Sequence, residues 1–311
     1  MPNIESSHDM KRFATLLVLT AALTGCTSGI TKPAEPPLGP LARVTSAHDI
    51  RLPLQGYELT PPQAETLHQA RLTLNRICAS RFGAPYTDTT PPTLSVSIDI
   101  ASRRYGIIEA SHASRYGYHT PTNSRSHAAD TEGAGHLGWR PGRLELSVLT
   151  GRASNGKPLT PHERPTDEKG IPLASGGCLA ETESQLNAGL SRVDPQFLPH
   201  LQGESFRLAE SDSRLLTAWS TWSKCMLAHK HHYQSPWQPN DEATGENISA
   251  TEKKTATDDV ACRVRTRMTD TWMAVESAYQ TRMLSEHKKG LTALADYQAA
   301  LLDRAEAIVA H

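Results

Sequence analysis

The stretch that decides the fold runs from Asp258 to Val309, DDVACRVRTRMTDTWMAVESAYQTRMLSEHKKGLTALADYQAALLDRAEAIV. It holds no proline and a single glycine, Gly290. Apolar residues recur in steps of three and four at Ala261, Val264, Met268, Trp272, Val275, Tyr279 and Met283. They resume at Leu291, Leu294, Leu301, Ala305 and Ile308. That period is the signature of an amphipathic α-helix. As one piece it would be about 75 Å long at 1.5 Å per residue. The alternative is a break near Gly290, giving a helical hairpin. Either form has an apolar stripe that needs a partner.

Two shorter helices are expected to supply that partner. Over Thr60–Phe82, Thr60-Pro61-Pro62-Gln63 carries a capping box with proline in the first turn, and Leu67, Ala70, Leu74, Ile77 and Cys78 share one side. Over Ser213–Lys230, Leu215, Leu216, Trp219, Trp222, Met226 and Leu227 do the same. Residues 84–205 read as a small β or irregular insertion. Leu94 to Ile100 alternates as a half-exposed strand does, Leu144 to Leu149 is a weaker copy, and Gly176-Gly177-Cys178 opens a helix. Pro195 and Pro199 break up the chain beyond, and 234–257 reads as a flexible loop. The fold class is therefore mainly α with a small β or irregular insertion, the C-terminal helix or hairpin packing on two shorter helices.

The amino-terminal end has a different logic. Met10-Lys11-Arg12 is followed by a mostly apolar run from Phe13 to Ala22, then Leu23-Thr24-Gly25-Cys26. A short cationic region, an apolar run too short to span a bilayer, and small residues before a cysteine form a secretory signal. Its end resembles the lipobox of bacterial lipoproteins. The resemblance implies cleavage before Cys26 and lipid on its thiol, with translation starting at Met10, since Glu5 and Asp9 suit a signal poorly. Removal of 25 residues from 311 leaves 286. Residues 26–49, rich in proline, read as a stiff tether, and 50–311 as one extracytoplasmic domain.

The net charge is −1 before and after that cleavage, which argues against a nucleic-acid partner. Outside the cytoplasm, Cys78, Cys178, Cys225 and Cys262 are expected to form two disulfides. Of three possible pairings we expect Cys225–Cys262 with Cys78–Cys178, because the first two lie on helices expected to be neighbours.

The domain also resembles a group of uncharacterised secreted lipoproteins of actinomycetes. The residues that carry this are Cys78 with Arg81-Phe82-Gly83, Arg104-Tyr105-Gly106, Tyr116-Gly117-Tyr118-His119 and Gly177-Cys178-Leu179, followed by Trp222 to Met226 and the run Cys262, Trp272, Glu276, Tyr279, Gln280. The resemblance implies paired cysteines and a helical C-terminal half, and no activity. Where such proteins tend to carry a glycine-aromatic turn, this chain has His229-Lys230-His231-His232.

Candidate chemistries are few. His229, His231 and His232 have spacing that zinc or copper accepts, although a solvated helix end also favours histidine. Tyr105, Tyr116, Tyr118 and His119 would line a ligand cleft if they converge. The Gly176-Gly177-Cys178 step lacks the flanking histidine and arginine that wall transpeptidases need around their cysteine. Asp258-Asp259 and Glu181/Glu183 read as surface carboxylates. No nucleophile elbow, His-Glu-x-x-His helix or phosphate loop occurs. The expectation is a non-enzymatic lipoprotein without cofactor, held on the membrane, that binds an envelope protein or the cell wall through the outer faces of the long helix. A ligand- or metal-capturing lipoprotein is the alternative, and an envelope hydrolase the weaker one.

Overall fold

A computed structural model of the chain describes residues 34–86, 103–119, 141–243 and 247–310. From Glu35 onward they form one compact unit. It is mainly helical: α1 Pro61–Arg81, α2 Ala110–Tyr116, α3 Arg143–Thr150, α4 Gly177–Leu186, α5 Phe197–Glu210, α6 Ser213–Ala228, α7 Gln238–Glu242, α8 Ala250–Thr266, α9 Met268–Glu286 and α10 Lys288–Val309. Among the described residues no helix is long and apolar enough to cross a membrane.

The C-terminal segment is three helices. The break expected near Gly290 is present, at His287, and a second break at Arg267 was not expected. Arg267 adopts a left-handed conformation, φ 56°, and its guanidinium is held by Asp270 (Nε to Oδ2, 2.8 Å) and by the carbonyl of Leu41. This break resets the helical phase. Ala261 and Val264, expected on the buried stripe, are exposed, and α8 instead buries Thr255, Ala256, Asp259, Val260, Cys262 and Arg263. Gly290 lies inside α10. A Cβ there would sit 2.6 Å from Phe197 Cζ, so glycine admits the ring of α5 against the helix.

The middle helix, α9, is the core. Its buried residues lie all around its surface, from Met268 through Trp272, Val275 and Tyr279 to Met283. It packs between α5 and α6, while α8 packs on α6 and α2, and α10 lies along α1. Trp272 sits in an aromatic cluster with Tyr105, Phe206, Trp219 and Trp237, at centroid distances of 5.2–5.6 Å. α9 is exposed only at Thr281, Ser285 and Glu286, so it offers little partner surface. α10 keeps an outer face, buried only at Leu291, Leu294, Leu301 and Ala305.

Local signals set the helix starts. Thr60 caps α1 as expected, its N–H donating to Gln63 Oε1 at 2.9 Å. Asp212 caps α6 and Ser249 caps α8. Most of the expected loop 234–257 is thus α7 and the first turns of α8. Residues 144–149, expected as a strand, form α3: Glu145, Val148 and Leu149 are buried at helical spacing. The helix ends at Gly151, whose backbone meets Gly176 and Gly177, and a Cβ on Gly177 would lie 2.4 Å from the Leu149 carbonyl. The Gly-Gly step therefore serves close packing of α3 on α4. α5 was hidden by its prolines, yet Pro199 falls in the first turn, where no intrahelical N–H is lost. Among the described residues the β content is two isolated bridges, Arg152 with Pro158 and Thr166 with Pro172. The strand expected over 94–100 lies outside the described residues.

The tether expected over 26–49 ends sooner. From Glu35 the chain is pinned to the domain: the Glu35 carboxylate accepts from the N–H and hydroxyl of Ser213, and the N–H of Val44 donates to Asp270. A proline-rich segment has few donors to satisfy, so it can lie on a surface with few bonds.

Candidate functional site

Cys78 pairs with Cys178 and Cys225 with Cys262, the expected pairing. The first bridge joins α1 to α4, beside Arg71–Glu183 and Arg81–Glu181 contacts of 2.7 Å. It leaves Cys178 no thiol for nucleophilic chemistry.

The polar interior is where the fold concentrates its specificity. Glu276 of α9 is fully buried and accepts from four side chains. Arg104 forks onto both oxygens, with Nε 3.0 Å from each. The Tyr105 hydroxyl donates at 2.8 Å, Ser205 Oγ at 3.2 Å and Gln280 Nε2 at 3.1 Å. Gln280 in turn accepts from the N–H of Leu54 at 2.9 Å. Burial alone would lower the Arg104 pKa, but the Glu276 carboxylate more than reverses this and raises it. Burial, then the same carboxylate, pushes the Tyr105 phenol well above its ordinary value.

A second buried carboxylate, Asp259 of α8, accepts from Arg263 Nε at 2.6 Å, Trp222 Nε1 at 2.8 Å and the Tyr118 hydroxyl at 3.2 Å. The Arg263 guanidinium also donates to the carbonyls of Tyr105 and Pro236. Gly106 is glycine for this reason: its φ is +82°, and a Cβ would lie 2.9 Å from Arg263 Nη2. Asp259, expected as one of a surface pair, is thus a core residue, while its neighbour Asp258 is partly exposed. Asp212 is the third, held by Arg214 at 2.7 Å and by Tyr279 at 3.1 Å. Burial pushes Asp212 up, but the Arg214 hydrogen bonds outweigh it and hold the carboxyl below its ordinary value.

Each of these carboxylates accepts several donors from other parts of the fold. They act as struts between helices. Sequence reasoning did not assign that role, although it had already singled out Arg104, Tyr105, Tyr118, Trp222, Glu276 and Gln280.

The four expected cleft residues do not converge. Tyr105 is in the core. Tyr116 packs tilted against His112, with ring centroids 5.3 Å apart. The His119 carbonyl accepts from Arg103, and its ring faces Glu252 at 3.5 Å. Tyr118 alone lines a cleft, of about 160 Å³, with Arg103, Gly106, Pro236, Trp237 and Arg263. Ligand pockets usually begin near 300 Å³, so this one suits at most a very small molecule.

Two of the three histidines share a partner. His231 Nε2 lies 2.9 Å and His229 Nδ1 3.4 Å from Asp258, while His232 is exposed. Among the described residues they form no three-ligand group of their own. The turn between them needs the left-handed region: Lys230 has φ 68°.

The fold and site define a disulfide-linked, mainly helical domain braced by buried ion pairs. No family model, curated protein or solved structure matches the chain, and nothing in these comparisons points to an enzyme family.

Proposed function

We propose that this chain is an exported lipoprotein, cut before Cys26 and held by lipid on that cysteine at the extracytoplasmic face of a membrane. Its domain is a non-enzymatic interaction module, directed at another envelope protein or at the cell wall. It belongs with the secreted actinomycete lipoproteins that it resembles. The observation that carries the reading is the sequence Met10-Lys11-Arg12, apolar run, Leu23-Thr24-Gly25-Cys26. Acyl chains contribute about 0.8 kcal/mol per buried CH2, so two or more hold a protein firmly on a bilayer.

Two supports come from the domain. All four remaining cysteines are bridged, which suits an oxidising compartment. The cleft at Tyr118 is small and the buried carboxylates are held by donors of the fold, which favours contact through a surface over capture at that cleft. The exposed face of α10, with Asp296, Asp303 and Glu306, is the surface we assign to the partner.

The test is fractionation of cells carrying the parent protein or Cys26→Ser. The parent should stay with membranes and be degraded by protease added to intact cells or spheroplasts. Cys26→Ser should leave the membrane. Photocrosslinkers at Asp296 and Asp303 should trap one discrete partner or wall fragments; a protease-resistant, cytosolic parent would refute the reading.

A further inference from the structure

The bridge that joins α6 to α8 has a third potential ligand beside it. One ring nitrogen of His229, the residue that ends α6, lies with the sulfurs of Cys225 and Cys262 in a group whose atoms are all within 4.8 Å of one another. Zinc bonds of about 2.0–2.3 Å in a tetrahedron place such donors roughly 3.5–4 Å apart, so small side-chain rotations suffice once the S–S bond is open. The imidazole is already oriented. His229 Nδ1 lies 3.4 Å from Asp258 Oδ1, and Asp258 is fixed by His231 at 2.9 Å and Lys254 at 2.7 Å. With the Nδ1 proton turned to that carboxylate, Nε2 carries the free lone pair, the arrangement in which metal-binding histidines are usually held. Arg265 donates to Cys225 Sγ and lies 3.7 Å from Cys262 Sγ.

We propose that reduction of the Cys225–Cys262 bridge creates a site for a soft divalent cation of the zinc class, with Cys225, Cys262 and His229 as ligands and water in the fourth position. The disulfide and the metal site are mutually exclusive states of the same two sulfurs. A dithiol reductant opens it by attack on the sulfur of Cys225, a residue 8 % exposed against 0 % for Cys262. The S–S bond breaks and Cys262 leaves as thiolate. The second reductant thiol then displaces Cys225 and closes the reductant's own disulfide, so two electrons pass to the protein. Each protein thiol gives its proton to solvent as it takes the metal. The helices stay together through the Trp222–Asp259–Arg263 contacts, which do not involve the sulfurs.

The test uses the full chain with Cys26→Ser, reduced by a phosphine under argon, freed of reductant, and titrated with Co2+ and Zn2+. Reduced protein should bind one cobalt per chain with a thiolate-to-metal charge-transfer band, and the oxidised protein none. His229→Ala should weaken zinc binding at least about tenfold. Four results overturn the proposal: no charge-transfer band; zinc binding unchanged in His229→Ala; a band that survives in Cys225→Ser/Cys262→Ser, which assigns it to Cys78 and Cys178; or loss of the helical circular-dichroism signal on reduction alone.

Discussion

Replacing Glu276 by glutamine tests whether the buried ion pair organises the domain. Glutamine keeps the volume and one acceptor oxygen. Every neighbour of the carboxylate donates, however: Arg104 to both oxygens, Tyr105 to Oε2, Ser205 and Gln280 to Oε1. In one amide orientation the new NH2 opposes Arg104 Nε; in the other it opposes Arg104 and Gln280 Nε2. Neither orientation removes all donor–donor conflict, and the guanidinium loses its counter-charge. Breaking a buried pair by removing one partner costs about 3–5 kcal/mol. Arg104 keeps a quarter of its side chain exposed, while Glu276 has none. We therefore place Glu276→Gln near 3 kcal/mol, the low end, which lowers Tm by roughly 6–12 °C in a domain of this size. Arg104→Met should cost more, because it strands a fully buried carboxylate. The pair Arg104→Met/Glu276→Leu removes donor and acceptor together, and should cost less than the sum of Arg104→Met and Glu276→Leu alone by at least about 1 kcal/mol. The assay is urea unfolding of the Cys26→Ser protein at pH 7, followed by circular dichroism and by tryptophan fluorescence. Trp272, 5.3 Å from Tyr105, reports locally. A Glu276→Gln change within about 0.5 kcal/mol of the parent, or an additive double variant, would refute the reasoning.

Gly290→Ala should destabilise by about 1–2 kcal/mol through overpacking on Phe197, although alanine normally favours a helix interior by about 1 kcal/mol; Phe197→Leu should recover most of the loss, and a stabilised Gly290→Ala would show that the contact is not close. Replacing both cysteines of the 78–178 bridge, which spans 100 residues, should cost about 4.7 kcal/mol, against about 3.8 kcal/mol for the 37-residue 225–262 bridge, by loop entropy; equal losses in urea titrations would contradict that order. Acid should weaken the fold. Asp212 and Asp258 lie below their ordinary values, burial being outweighed by Arg214 at the first and by Lys254 and His231 at the second. Groups with depressed folded values contribute stability above their unfolded values, near pH 4, and lose it as pH falls through the folded ones. The urea midpoint should drop between about pH 5 and pH 2, with a shallower slope in Asp212→Asn; an unchanged slope excludes that carboxylate as a source.

Helix period and caps made the places of α1, α6 and the C-terminal helical mass legible, although Ile77, Leu216 and Leu227, read on the apolar sides, are exposed. Thr60 and Gln63 form the box that their spacing foretold, and the stripe from Met268 to Met283 is buried. What stayed hidden has physical reasons. Arg267 breaks the long helix with no glycine or proline, and because the break resets the phase, a stripe continued through it put Ala261 and Val264 on the wrong side. Leu144-Glu145-Leu146-Ser147-Val148-Leu149 satisfies both a period of two and a helical one. Burial of Glu145, which a strand reading places outside, decides for the helix. Pro199 reads as a breaker unless its place in the first turn is known.

The site was less legible than the fold, because its parts come from distant segments. Arg104 meets Glu276 across 172 residues, and Tyr118 meets Asp259 across 141. Periodicity does not record such pairings. A charged residue on an otherwise apolar face, as with Glu276 between Trp272 and Tyr279, is the local sign that was available. The histidines were read by their spacing along the chain, whereas in space His229 has Asp258 and the two bridged sulfurs beside it.

The anchor is the claim on which location, redox state and function rest. Intact mass of the protein extracted from cell membranes, after growth in labelled palmitate, measures it directly. We expect a chain beginning at Cys26, heavier than its polypeptide by a diacylglycerol unit and labelled, with no free thiols. An unlabelled chain retaining residues before Cys26, recovered from the cytosol with reduced cysteines, would contradict the account.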